Sequence, residues 1–174
     1  MDLPFREIWC CDTEYRAPDG ERPETRCLVA REALTGRLLR FWADDLADMD
    51  QAPFPTDSGA LFVAFYVSAE LNCFLQLGWP MPARIMDLYV ERRRIANGRG
   101  WINPGRSLVA TAEAYKLPAI DALEKQEMRN LAMRAGSHYD QAEREALLNY
   151  CQSDADALVE LLPRMLPEIL AGPD

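Results

Sequence analysis

Two acids, Asp12 and Glu14, sit one residue apart at the end of the apolar run Glu7-Ile8-Trp9-Cys10-Cys11. Residues 8–11 read as a β-strand, and side chains i and i+2 of a strand project to one face. Two carboxylates on one face repel each other unless water, a cation or a basic side chain screens them. The pair is therefore either a solvated strand end or a place that holds a metal. Far along the chain, Tyr150 and Asp154 stand four residues apart in Asn149–Leu158 (NYCQSDADAL), a helical stretch. That spacing puts a phenol and a carboxylate on one helix face, and it equally suits a core-facing aromatic beside a solvated acid. Glu70 is a further acid in a first helical turn, where the helix dipole favours negative charge and Ser68 would be the N-cap.

The elements that position these residues can be read along the chain. Residues 26–31 (RCLVAR) and 37–42 (RLLRFW) flank a turn at Thr35-Gly36, the pattern of an antiparallel hairpin. Residues 17–25 (APDGERPET) and 52–59 (APFPTDSG) read as loops. Residues 60–67 (ALFVAFYV) suit a buried strand, followed by a helix from Ser68 that carries Leu71, Phe74, Leu75 and Leu77 and stops at Gly78-Trp79-Pro80. Residues 84–90 (RIMDLYV) read as a short strand or an extended lead into a helix. Helices are expected over 107–115, 119–134, 141–150 and 154–165. The last two are either separate or continuous, with Pro163 and Pro167 interrupting the end. Strands with antiparallel neighbours, then βα units, then helices predict an α/β mixed sheet of about five strands flanked by helices.

Bulk properties narrow the function classes. A chain of 174 residues, 49% hydrophobic and 27% charged, suits one soluble domain spanning 1–174. No apolar stretch approaches the roughly 18–20 residues of a membrane span, so no membrane partner is expected. The start Met1-Asp2-Leu3-Pro4 lacks the basic and apolar regions of a signal peptide, and a cytoplasmic location is expected. The five cysteines have no CxxC spacing and read as buried thiols in a reducing compartment. His138 is the one histidine and lies in a loop-like Gly-Ser-His-Tyr-Asp stretch, which argues against a structural zinc site and against a histidine-dependent hydrolase. A net charge of −9 argues against broad binding of duplex DNA, but an acidic site can still hold phosphates through metals.

Asp12-Thr13-Glu14 on a first strand, with Tyr150-Cys151-Gln152-Ser153-Asp154 on a late helix, resembles the first and third motifs of DEDD-type 3′–5′ exonucleases. The Tyr-x-x-x-Asp form is that of the tyrosine subgroup, which includes the proofreading domain of family A DNA polymerases of the phage-like and bacterial kind. The histidine subgroup would need a histidine just before Asp154, and His138 is too distant. The resemblance covers nearly the whole chain and implies a ribonuclease H-like fold. It departs at the second motif, where the family has an acid, usually Asp, after an Asn-containing strand end. Here Glu70 takes that position, the Asn is absent, and Asp87 is the substitute candidate.

The resemblance implies a two-metal 3′–5′ exonuclease that releases 5′-nucleoside monophosphates, using two divalent cations, Mg²⁺ or Mn²⁺. Such a pair, about 3.5–4 Å apart, activates water and stabilises the leaving oxygen. By resemblance, Asp12 would bridge both ions, Glu14 and Asp154 would complete the water-activating site, and Glu70 would face the second ion. Tyr150 would orient the attacking water or the scissile phosphate. The expected partner is a single-stranded DNA 3′ end, with RNA as the alternative, in an excised proofreading domain or a free-standing nuclease. A polymerase domain or another replication or repair protein would be its companion. A catalytically weak end-binding module of the same fold is the competing reading. Phe74 and Tyr66 are candidates either for base stacking or for core packing. Arg92, Arg93, Arg94, Arg99 and Arg106, and then Lys125, Arg129 and Arg134, are candidates either for phosphate contact or for solvated helix faces.

Overall fold

A ten-residue strand, β1 (Glu7–Arg16), runs through the middle of the sheet. In this computed structural model residues 3–17, 19–100, 105–118, 122–136 and 138–172 are described, with backbone alone for 122–125. Ile8 and Cys10 are buried in one apolar cluster and Trp9 and Cys11 in another, which is why residues 8–11 are apolar without alternation. The strand runs past residue 11, so Asp12 and Glu14 lie inside it and not beyond its end. The extension is held by β2 (Glu24–Glu32), which pairs antiparallel with Val29 opposite Asp12 and Cys27 opposite Glu14. β2 pairs in turn with β3 (Leu38–Trp42), the hairpin expected from the sequence. Its turn is built on the buried Glu32 carboxylate, which accepts from the N–H groups of Ile8, Leu34 and Thr35 and from the Thr35 hydroxyl.

On the other edge of β1, β4 (Ala60–Ala64) and β5 (Ile85–Asp87) add in parallel, giving the order β3-β2-β1-β4-β5. The expected α/β mixed sheet of five strands is present. β4 is shorter than residues 60–67: the chain leaves the strand after Ala64, and Tyr66 adopts a φ of 70°. Pairing of β4 with β1 stops at Cys10. From there the β4-side edge of β1 is open, at the carboxyl ends of parallel strands where open sheets bind ligands.

Helices cover both faces. α1 (Ala43–Ala47) follows β3 and is too short to register as a periodic pattern. α2 (Ser68–Leu77) covers the Trp9 face, and Gly78, in the left-handed region at φ 74°, ends it as expected. Ser68 is the first residue of this helix, not its N-cap; Val67 holds the cap position with no side-chain bond. The Ile8 face is covered by α3 (Leu88–Gly98), α4 (Leu108–Ala114) and α6 (Gln141–Ala171), with α5 (Ala122–Ala132) packed on α6. The first residues of the helix expected over 119–134 lie outside the described residues.

α6 is one helix of 31 residues, so the stretches 141–150 and 154–165 merge and the two prolines do not break it. Pro163 and Pro167 are exposed, whereas Leu158, Leu161, Leu162 and Met165 on the other face are buried. An interior proline costs about 3 kcal/mol. Each large buried side chain returns about 1.5–3 kcal/mol, so the packed face outweighs the two lost bonds. Arg31 pairs with Asp156, and Arg40 reaches Glu145, Asn149 and Gln152, which pins α6 across β2 and β3. Among the described residues, no helix is long and apolar enough to cross a membrane.

Candidate active site

Asp12 and Glu14 share the β1 face on which α6 lies. Their cross-strand neighbours Val29 and Cys27 pack against Leu147, Cys151 and Ala155 of that helix. The same helix therefore lowers Tyr150 and Asp154 onto the strand, and the Cys151 thiol donates to the Asp12 carbonyl at 3.1 Å. Glu70 arrives from the open edge, in the first turn of α2, just after β4 ends. Asp12, Glu14, Glu70, Tyr150 and Asp154 line one cleft of about 490 Å³. All five residues singled out from the sequence are brought together.

Burial and mutual repulsion dominate the electrostatics. The Asp12 carboxyl is held well above the usual carboxylate range, first by burial and then by the charges of Asp154, Glu14 and Glu70. Glu70 is 3% exposed, and burial, with Asp87 and Glu14 adding, pushes it up to about 8. The Tyr150 phenol is raised by burial and by the carboxylates of Asp154, Glu14 and Asp12, and its hydroxyl hydrogen-bonds Asp154 one turn away. That bond holds the Asp154 carboxylate against α6 and keeps Tyr150 in its neutral, donating form.

The donor set fits a hard divalent cation. It is all oxygen, the acids raise one another's pKa, and Asp12 Oδ2 and Glu70 Oε2 are buried without a hydrogen-bond partner among the described residues. A buried carboxylate oxygen left unpaired is costly, and a cation removes that cost. Among the described residues, no three His, Cys, Asp or Glu side chains stand as a ready-made cation cage. The fit is one of donor chemistry and charge.

The sequence matches no family model and no curated protein. Solved structures do match. The EXO domain of Aedes aegypti Nibbler superposes with a TM-score of 0.59 over 94% of this chain and 84% of its own, at 12% identity. A structure described as the apo form of a nuclease gives a TM-score of 0.58 over 96% and 79%, at 14% identity. The fold is that of a ribonuclease H-like exonuclease domain. At such identities the likeness is one of fold.

Around the centre of this exonuclease-like fold, the structure sorts the remaining sequence candidates. Asp87 is not a ligand substitute: Oδ1 accepts from the N–H groups of Tyr66, Tyr89 and Val90, and Oδ2 from that of Val67. It caps α3 and fastens the turn that precedes α2. Phe74 is fully buried among Phe54, Phe62 and Trp79, so it packs the core and stacks on nothing in the cleft. Tyr66 is the reverse case, 56% exposed and on the cleft wall. Arg92 is buried, Arg93 reaches the Tyr89 hydroxyl, and Arg94 and Arg99 tie α3 to the end of α6 through Glu168 and Ile169. Arg134 is taken by Glu143. Arg129 lines the acid cleft and Arg106 an adjoining one, and the Lys125 side chain lies outside the described residues. Tyr15 and Met133 also line the acid cleft and Tyr89 the adjoining one, and sequence reasoning missed all three. Tyr89 carries no sequence signal, because a lone aromatic beside a strand end reads as core.

Proposed function

We propose that this chain is a metal-dependent 3′–5′ exonuclease of the DEDD type, tyrosine subgroup, acting on a single-stranded DNA 3′ end. The observation that carries the reading is the convergence of Asp12, Glu14, Glu70 and Asp154 in one cleft, with buried carboxylate oxygens on Asp12 and Glu70 lacking hydrogen-bond partners among the described residues. The fold shared with an exonuclease domain and a nuclease supports it. Asp12, Glu14, Glu70 and Asp154 would hold two Mg²⁺ or Mn²⁺ ions. When bound, such ions supply an activated water and neutralise charge on the leaving oxygen. Tyr150, kept neutral by burial, hydrogen-bonds Asp154 and holds it in register. A polymerase or another replication or repair protein in the cytoplasm remains the proposed companion.

The test is shortening of a 5′-labelled single-stranded oligonucleotide from its 3′ end in Mg²⁺ or Mn²⁺, abolished by chelation. Asp12→Ala or Asp154→Ala protein that degrades the strand as fast as the parent overturns the assignment. A second reading, a weakly active or inactive end-binding module, draws on Glu70 in place of the usual Asp and on the absent Asn at the second motif. It predicts binding without shortening in either metal. An RNA oligonucleotide degraded in preference to DNA would assign the chain to exoribonucleases instead.

A further inference from the structure

Tyr66 occupies a backbone conformation that a bulky residue rarely adopts. Its φ is 70°, in the left-handed region where a side chain crowds its own backbone. Such strain persists only where the surroundings impose it, and it is concentrated at functional sites. The imposing group is Asp87, whose carboxylate takes the N–H groups of Tyr66 and Val67 together. The result is a ring turned outward, 56% exposed, and supported edge-on by Tyr89 at 5.4 Å between centroids and 83° between planes. Tyr89 is braced in turn by Phe65 at 5.7 Å. Core packing therefore does not account for the Tyr66 ring.

Its position is informative. Two clefts, of about 490 Å³ and about 450 Å³, adjoin one another and share Asp12, Phe65, Tyr66, Arg129 and Asp154. Each volume falls in the range that takes a ligand of nucleotide size. The first holds the acid cluster; the second runs on past Tyr89 to Arg106. Tyr66 and Arg129, with Asp12 and Asp154, thus stand where two nucleotide-sized spaces meet.

We propose that Tyr66 is a nucleobase platform: a single-stranded 3′ end lies across the two clefts with a base stacked on the Tyr66 ring and a neighbouring phosphate at Arg129. This rests on the nuclease reading for the identity of the ligand. Stacking on an aromatic face is tolerant of sequence, because every base has a π-face, and it requires an unpaired strand. Asp87 is a positioning residue here, acting through the backbone of residue 66.

The test uses the full chain with Ca²⁺ and a short single-stranded DNA carrying 2-aminopurine at the 3′-terminal or penultimate position behind a cleavage-resistant phosphorothioate. The parent should quench the 2-aminopurine fluorescence on binding. Tyr66→Gly and Tyr66→Ala should lose the quenching and bind about 10-fold more weakly, while Tyr66→Phe keeps both. Glycine tolerates a left-handed φ, so Tyr66→Gly should melt within about 3 °C of the parent, which separates lost stacking from lost folding. No quenching by the parent, or equal quenching and affinity in Tyr66→Gly, overturns the platform. So does Tyr66→Phe behaving as Tyr66→Ala, because the hydroxyl would then carry the effect. Quenching of this probe, with no shortening of an unmodified strand of the same sequence in Mg²⁺ or Mn²⁺, defeats the nuclease reading and leaves the platform standing.

Discussion

The Cys151 thiol donates to the main-chain carbonyl of Asp12 across 3.1 Å, joining α6 to β1 directly beside Tyr150. The bond runs from the sheet-facing side of α6 to β1, and Cys151 is fully buried. The spacing between the strand that carries Asp12 and Glu14 and the helix that carries Tyr150 and Asp154 is set at this point. Burial also pushes the Cys151 thiol up, so it is a packing and hydrogen-bonding group and not a nucleophile.

Cys151→Ala should therefore loosen the site as well as the fold. The lost hydrogen bond is worth about 0.5–1.5 kcal/mol, and the lost sulfur leaves a small void. A fall in Tm of about 2–6 °C is expected. Cys151→Ser, which keeps a donor, should recover part of the cleavage rate that Cys151→Ala loses. Thermal denaturation and the oligonucleotide assay read the two effects.

Replacing one acid of the cluster should stabilise the cation-free protein while disabling it. Asp12→Asn removes a buried charge that faces Asp154, Glu14 and Glu70. Its Tm in chelator should rise by a few degrees, roughly 1 kcal/mol or more in stability. Its cleavage rate should fall by about 10²-fold or more. A lowered Tm in chelator would show that the carboxylate, despite its neighbours, is a net stabilising group.

The same repulsion fixes a pH dependence. Glu70 has an ordinary carboxyl pKa of 4.5 when unfolded and one raised to about 8 when folded. Between those values the folded chain binds more protons than the unfolded one, so stability falls as pH rises. The contribution is greatest below about 4.5 and is gone above about 8. Asp12, also raised, acts in the same direction. Thermal melts in chelator should show this decline. Added Mg²⁺ should raise Tm more at pH 8 than at pH 5, because cations compete with protons for the same oxygens. Equal metal shifts at both pH values would place the cation elsewhere.

Asp87 serves four backbone donors and should be costly to lose. Asp87→Ala leaves the N–H groups of Tyr66, Val67, Tyr89 and Val90 without this carboxylate. A loss of about 1–3 kcal/mol is expected from the broken cap and the orphaned donors. The turn that presents Glu70 and Tyr66 should also relax. Hydrogen exchange at residues 66 and 67 should rise sharply in Asp87→Asn, which keeps one acceptor oxygen, while β1 amides stay protected.

Much of this was legible along the chain. The hairpin around Thr35-Gly36 announces itself through turn chemistry between two apolar runs, and both strands are present. Asp12-x-Glu14 and Tyr150-x-x-x-Asp154 are local spacings, so a strand period and a helix turn suffice to put each pair on one face. Pro163 and Pro167 misled because proline counts against a helix locally, whereas the buried Leu161, Leu162 and Met165 hold α6 straight through. Phe74 and Tyr66 look alike in sequence, both aromatic and both near the second acid. Only packing sends one into the core and turns the other outward.

By itself, the sequence determined the types and spacings of the reactive groups and the order of the elements that bear them, because those follow from short-range periodicity. Tertiary structure decided which distant groups meet: Glu70 with Asp12, Cys151 with the Asp12 carbonyl, Asp87 with the backbone of Tyr66. It also decided that Arg94 fastens α3 to α6 while Arg106 and Arg129 line the clefts. The physical reason is that charge and hydrogen-bonding capacity are properties of a residue, whereas burial and proximity, which set pKa and satisfy or orphan an oxygen, arise only when separate elements pack together.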